Sequence, residues 1–166
     1  MAQSDHAHCT KIERGQIVPV FSLPGADSMV YSPWNYKQRD NLLLLFTQST
    51  KTAAGRELLR SLAHHYADFR DEKCVIIAIT ADPVIVNLQV TEELHLPFPL
   101  VADVAGTTIE RYTDWDAATH MLLPSMVLTD RYGACYEQWN TRSEAELPPL
   151  QEILKTLQYL NSICTP

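Results

Sequence analysis

Two uninterrupted apolar runs, Leu42–Phe46 and Cys74–Ile79, constrain this chain more than any other feature. Each is too short for a helix, is bounded by polar residues, and lacks the alternation of a strand with one wet face. Such runs fit strands buried on both sides, which occur where parallel strands are covered by helices above and below. Parallel pairing demands a crossover, and the intervening sequence supplies one. Leu58, Leu59, Leu62, Tyr66 and Phe69 form one apolar stripe, predicting an amphipathic helix from about Ala53 to Arg70. Ser49, Thr50 or Thr52 can cap its start.

Beyond Asp82-Pro83 a second helix is expected to reach Leu94, with Val84, Ile85, Leu88 and Leu94 turned inward. Leu96–Val101 returns to the sheet, and Gly106–Tyr112 reads as a short helix. Met126–Leu128 is a strand, Asp130–Gly133 a turn and Cys135–Trp139 the returning strand. Leu147–Ile163 is an amphipathic helix: Leu150, Ile153, Leu154, Leu157, Leu160 and Ile163 share a face, and Pro148 and Pro149 fit its first turn. Upstream, Ile17–Leu23 reads as a short extended edge segment interrupted by Pro19. Pro24–Ser28 is a turn from which Met29–Tyr31 pairs back. The order, βαβα followed by an antiparallel hairpin and a helix, predicts a thioredoxin-like three-layer α/β/α sandwich with a central mixed sheet. Residues 1–14 are expected to be a loose polar tail and 15–166 a single domain, a size that 166 residues suit.

A formal net charge of -7 argues against partners that must be met by a basic surface, such as nucleic acid or an anionic membrane. The polar start Met1–Lys11 lacks the apolar core of a secretion signal, and no apolar run approaches the roughly 20 residues of a spanning helix. The expected address is the cytoplasm. Cys9, Cys74, Cys135 and Cys164 contain no close pair, which excludes a zinc ribbon or a disulfide framework and leaves four free thiols as the expectation.

Four segments then carry a resemblance. Val18-Pro19-Val20-Phe21-Ser22-Leu23 is similar to the opening Ala-Pro-Asp-Phe-x-Leu of redoxins of the alkyl hydroperoxide reductase C / thiol-specific antioxidant group. Leu42–Phe46, a loop and Glu57-Leu58 resemble that family's active-site strand, loop and helix. Phe98-Pro99-Leu100-Val101-Ala102-Asp103 resembles its Phe-Pro-Leu-x-x-Asp, and Pro124–Gly133 its Pro-Thr-x-Phe-x-x-Asp-x-x-Gly. The resemblance spans about Gln16 to Trp139 and implies a peroxiredoxin-like thiol oxidoreductase with an antioxidant role. It also implies that Pro124 is a cis-proline bordering the active site.

The family's chemistry takes place at the start of the helix after the first central strand, where unpaired N–H groups and the helix dipole lower a thiol's pKa. Counting from Phe46, the thioredoxin-like Cys-x-x-Cys falls on Lys51 and Ala54, with Glu57 on the family's glutamate. The peroxiredoxin Thr-x-x-Cys falls on Thr52 and Gly55, and a one-residue slip returns Ala54. In every register Thr47–Glu57 contains no cysteine. The hydroxyls there cannot replace one, because an alcohol resists ionisation and forms no sulfenic acid. Lys51, Thr52, Ala54 and Gly55 thus read as a degenerate site. Cys164, after the last helix, resembles a C-terminal resolving position and is the one candidate residual thiol.

Other constellations are weaker. His6, His8 and Cys9 have metal-ligand chemistry but sit in a polar tail, and His64 and His65 point about 100° apart on a helix. Trp34, Lys51, Arg56, Trp115 and His120 would line a pocket if the loop before Pro124 approached the helix start, and Lys51 with Arg56 there would suit an anion. No metal or cofactor is expected. Three functional readings follow: a redoxin-like domain without thiol catalysis that serves binding or assembly; an active thiol oxidoreductase using Cys164 or a partner's thiol; and an anion- or metal-binding sensor. The resemblance implies a homodimer and, for a redox-active chain, a thioredoxin-type protein partner.

Overall fold

The computed structural model describes residues 11–48, 50 and 52–163. Both apolar runs are strands: β3 (Asn41–Phe46) and β4 (Cys74–Thr80) are buried at every position. They pair in parallel from Asn41↔Cys74 to Phe46↔Ile79. β5 (Leu100–Ala102) extends the sheet in parallel beyond β4, while β8 (Ser125–Thr129) runs antiparallel to β3 and β9 (Cys135–Asn140) antiparallel to β8. The sheet order β5-β4-β3-β8-β9 is the mixed five-stranded centre expected of a thioredoxin-like fold.

Because side chains alternate along a strand, β3 and β4 feed two cores. Leu43, Leu45, Ile76 and Ala78 face helix α1 (Ala53–His64), helix α2 (Tyr66–Asp71), helix α3 (Val84–Leu94) and helix α5 (Leu150–Ile163), through Leu59, Leu62, Phe69, Val90, Ile153, Leu154 and Leu157. Leu42, Leu44, Phe46, Ile77 and Ile79 face the other way, onto Ile12, Val18, Phe21, Ile109 and Tyr112. The second outer layer is therefore thin: the extended stretch 12–23 and the one-turn helix α4 (Ile109–Tyr112). Phe46 stacks on Tyr112 with ring centroids 4.7 Å apart.

The hairpin ahead of the sheet forms as expected, β1 (Leu23–Pro24) pairing with β2 (Val30–Tyr31). Four expectations need correction. The first helix is not continuous to Arg70 but breaks at His65, which has φ -100 and ψ 8; the new axis buries Phe69 completely and sets Tyr66 edge-on to Phe98 at 5.6 Å. On α3, Ile85 is exposed and Asn87 is buried instead. Asn87 Oδ1 accepts from Thr80 Oγ1 at 2.9 Å, so a polar anchor takes the inward position that hydrophobicity assigned to Ile85. The short helix begins at Ile109 rather than Gly106, where Asp103 Oδ2 accepts from Thr108 N and Ile109 N at 2.9 and 2.8 Å. Ile163, expected inward, ends α5 in solvent.

Candidate functional site

β3 delivers the chain to the start of α1, and β8 lies beside that point because Phe46 pairs with Ser125. The loop between Phe46 and α1 is tied down from two directions. Glu144, in a one-turn 3-10 helix (Glu144–Glu146) ahead of α5, is only 8% exposed, and its Oε1 accepts from Thr47 Oγ1 at 2.9 Å and from Gln48 N at 3.1 Å. Asp82, two residues beyond the end of β4, presents Oδ2 to Thr50 N at 3.1 Å and Thr50 Oγ1 at 2.9 Å. Thr47 and Thr50 are both buried. Behind Asp82 the network continues inward: Asp82 N donates to Thr80 Oγ1 at 3.2 Å, and Thr80 Oγ1 donates to Asn87.

Thr52 is the N-cap of α1, as the sequence allowed. Its extended backbone turns the side-chain oxygen onto Gly55 N at 3.2 Å, meeting one of the amides a helix start leaves open. Ala54 is exposed on the first turn and Gly55 is buried beneath it. Lys51 lies outside the described residues, as do Cys9, Cys164, His6 and His8.

Pro124 stands where the sequence placed it, immediately before β8 and at the same end of the sheet as the α1 start. The expected cis bond is corrected: every peptide bond among the described residues is trans. Pro124 serves as a strand opener, with its carbonyl accepting from Thr141 N at 3.0 Å.

The described members of the conditional pocket, Trp34, Arg56, Trp115 and His120, do not come together and take separate packing roles. Trp34 belongs to a 3-10 turn (Pro33–Tyr36) that precedes β3, at the opposite end of the sheet from α1's start, and packs with Lys37 and Tyr132. Trp115 and His120 form a unit of their own across the hairpin of β6 (Trp115–Asp116) and β7 (Met121–Leu122), with ring centroids 5.1 Å apart. Arg56 is engaged by Glu93 of α3 at 2.7 Å.

Cys74 and Cys135 are buried at 0% and 2% exposure. Burial pushes the Cys74 thiol far up and the Cys135 thiol up to about 11, so both are neutral near pH 7. His64 and His65 meet edge-on, and among the described residues no three His, Cys, Asp or Glu side chains gather as a metal site. No helix of the described residues is long and apolar enough to cross a membrane.

Sequence reasoning reached Thr50, Thr52 and Pro124 but missed Asp82 and Glu144 as partners of the loop. Asp82 carried a faint signal, standing in an Asp-Pro pair after an apolar run. Glu144, in the polar stretch Ser143-Glu144-Ala145-Glu146, carried none. Chemically, the site is a capped helix start whose approach is held by two carboxylates and whose hydroxyls at Thr47 and Thr50 are spent as donors.

Among solved structures, the fold is similar to peroxidoxin BcpB from Mycobacterium tuberculosis, with a TM-score of 0.78 and 15% identity over 89% of this chain and 97% of that one. A cysteine-to-serine mutant of PrxQ from Xylella fastidiosa gives a TM-score of 0.77 and 15% identity over 89% and 96% of the two chains. A cysteine-to-serine mutant of the Peroxiredoxin 6 of Arenicola marina gives 0.79 and 15% over 90% of this chain and 73% of that one. No curated protein sequence matches the chain. The model of the AhpC/TSA family matches residues 14–158, nearly the whole described fold, and the chain belongs to that family.

Proposed function

We propose that this chain is a peroxiredoxin-like member of its family that no longer carries out thiol peroxidase chemistry at the start of α1 and serves a binding or assembly role. The observation that carries the reading is the composition of that helix start: from Thr47 to Glu57 there is no cysteine. Peroxide reduction by a thiol needs a thiolate that attacks one peroxide oxygen, breaks the O–O bond and becomes a sulfenic acid. Neither Ala54 nor Gly55 has an atom to offer, and the nearby threonine hydroxyls donate to Glu144 and Asp82.

The other thiols add support. Cys74 and Cys135 are buried in the sheet and held protonated, the opposite of the exposed, electropositive setting that activates a cysteine. On this reading a thioredoxin-type reductant finds no disulfide to reduce at the α1 start.

The test is peroxide consumption in the presence of excess dithiol, comparing the protein with a Cys9→Ser/Cys164→Ser double variant that leaves both buried thiols in place. Equal rates, no faster than dithiol alone, are expected. Consumption by the unaltered protein that the double variant loses would overturn the reading and assign the activity to a terminal thiol.

A further inference from the structure

A second surface lies at the opposite end of the sheet from α1's start. Three stretches meet there: Ile17–Val20, the 3-10 turn with its flanks (residues 32–40), and the β8–β9 turn (residues 130–133). Trp34 is 53% exposed, Ile17 51%, Tyr132 48% and Val20 42%, and between them opens a shallow cavity with room for about 20 Å³. Small-molecule sites run to about 300 Å³ or more. This one suits the tip of a single side chain.

Cations outnumber acids around it. Lys37 Nζ lies 4.1 Å from the centroid of the Trp34 ring, and the Arg131 guanidinium 5.1 Å from that of Tyr132. Arg39 follows on the same stretch as Lys37, and Arg111 reaches in to donate to the Val20 carbonyl at 2.9 Å. The two acids on these stretches are already engaged: Asp40 pairs with Arg70 at 3.2 Å, and Asp130 Oδ1 accepts from Tyr132 N and Ala134 N inside its own turn. A basic rim is thus built in a chain whose net charge is -7.

We propose that this face docks an acidic segment of a partner protein, the tip of one aliphatic side chain entering the cavity beside Trp34 and carboxylates meeting Lys37 and Arg39. Exposed Trp, Tyr and Arg are the residue types that dominate binding energy at protein interfaces, and oppositely charged rims steer the encounter. A second copy of this chain is disfavoured in the face-to-face arrangement, since two basic rims would meet. The proposal rests on the binding role above only in giving that role a surface. Residual peroxidase activity would leave it standing, and its own failure would leave the missing peroxidase chemistry standing.

The experiment is selection of a random twelve-residue phage-displayed peptide library on the full chain, followed by titration of the enriched synthetic peptides by fluorescence anisotropy. Enrichment of acidic peptides with one apolar anchor is expected, with affinity falling as salt rises. Trp34→Ala should weaken binding about thirtyfold or more. Lys37→Glu, which reverses the charge beside the Trp34 ring and keeps the ring itself, should weaken it about tenfold and flatten the salt dependence. Melting curves establish that each variant is folded. No enrichment, enrichment of peptides without acidic residues, or peptides that bind both variants as well as the original would overturn the proposal. So would a dimer of the unaltered protein that Trp34→Ala dissociates, because the face would then belong to a second copy.

Discussion

Replacing Glu144 decides whether the loop ahead of α1 is held by the fold or merely lies against it. Its Oε1 accepts two hydrogen bonds, from Thr47 Oγ1 at 2.9 Å and from Gln48 N at 3.1 Å. Thr47 is 1% exposed, so its hydroxyl has no bulk water to turn to when the carboxylate is removed. Glu144→Ala leaves that hydroxyl and a half-buried amide without an acceptor. At about 1–3 kcal/mol for each buried group left unpaired, with Gln48 at the low end, the expected loss is about 2–4 kcal/mol. A water entering the vacated space moves the value toward the lower figure. Glu144→Gln keeps a carbonyl oxygen able to accept both bonds and gives up only their charge assistance, about 1 kcal/mol. Urea denaturation reads both variants as a lowered midpoint at unchanged slope, and hydrogen exchange at the Gln48 amide should lose protection in the alanine variant first. An alanine variant within about 0.5 kcal/mol of the original would refute the reasoning, since the carboxylate would then hold nothing. A glutamine variant as damaged as the alanine one would refute it differently, by showing that the two bonds owe everything to the charge.

Thr52→Ala should cost about 1 kcal/mol through loss of the α1 cap, and Thr52→Ser, which keeps the oxygen that accepts from Gly55 N, should recover most of it in the same denaturation assay. Gly106→Ala should be costlier, about 2 kcal/mol or more: φ is +74, and an added Cβ would stand 2.1 Å from Trp115 Cε2, so backbone strain and overpacking act together. Thermal melting followed by tryptophan fluorescence checks it, and a variant as stable as the original counts against the packing of the β6–β7 hairpin on that glycine. The buried thiols give a pH dependence of stability. Folding raises the Cys135 pKa to about 11 from the ordinary value of 9.0, so the folded state favours the neutral thiol. Its contribution is whole below pH 9 and is lost as pH climbs toward 11, because the unfolded chain releases the proton first. Midpoints of urea denaturation should fall between those limits in the original and fall less in Cys135→Ala. Equal falls would remove Cys135 from the cause.

What could be read in the sequence was whatever local pattern determines. The runs Leu42–Phe46 and Cys74–Ile79 within β3 and β4 carry no polar position to confuse the reading, and the parallel pairing at the centre of the sheet followed from them. The Pro24–Ser28 turn announced its hairpin through turn chemistry alone. The misreadings share a different cause. Asn87 displaces Ile85 from the core of α3 because Thr80, on another element, offers it a hydrogen bond; hydrophobicity along a helix knows nothing of that partner. The break at His65 has the same origin, since Phe69 is placed by the sheet it must cover and not by the period of α1.

The helix start shows the limit most clearly. The absence of a cysteine between Thr47 and Glu57 was legible in the sequence, because an absence within a bounded stretch survives any shift of register. What stands around it was not legible. Asp82 reaches Thr50 from 32 residues away and Glu144 reaches Thr47 from 97 residues away, and only the assembled sheet brings the two connections together. Those bonds bear on function through their direction. A helix start that activates a thiol must leave its amides and its positive end free for an anion that forms there during the reaction. Here the Glu144 and Asp82 side chains stand at the approach to that end, and Thr52 accepts from one of its amides. A cysteine introduced at Ala54 would place a thiol on the first turn without clearing those groups. Its pKa therefore reports the balance between the helix dipole, which lowers it, and the two carboxylates, which raise it.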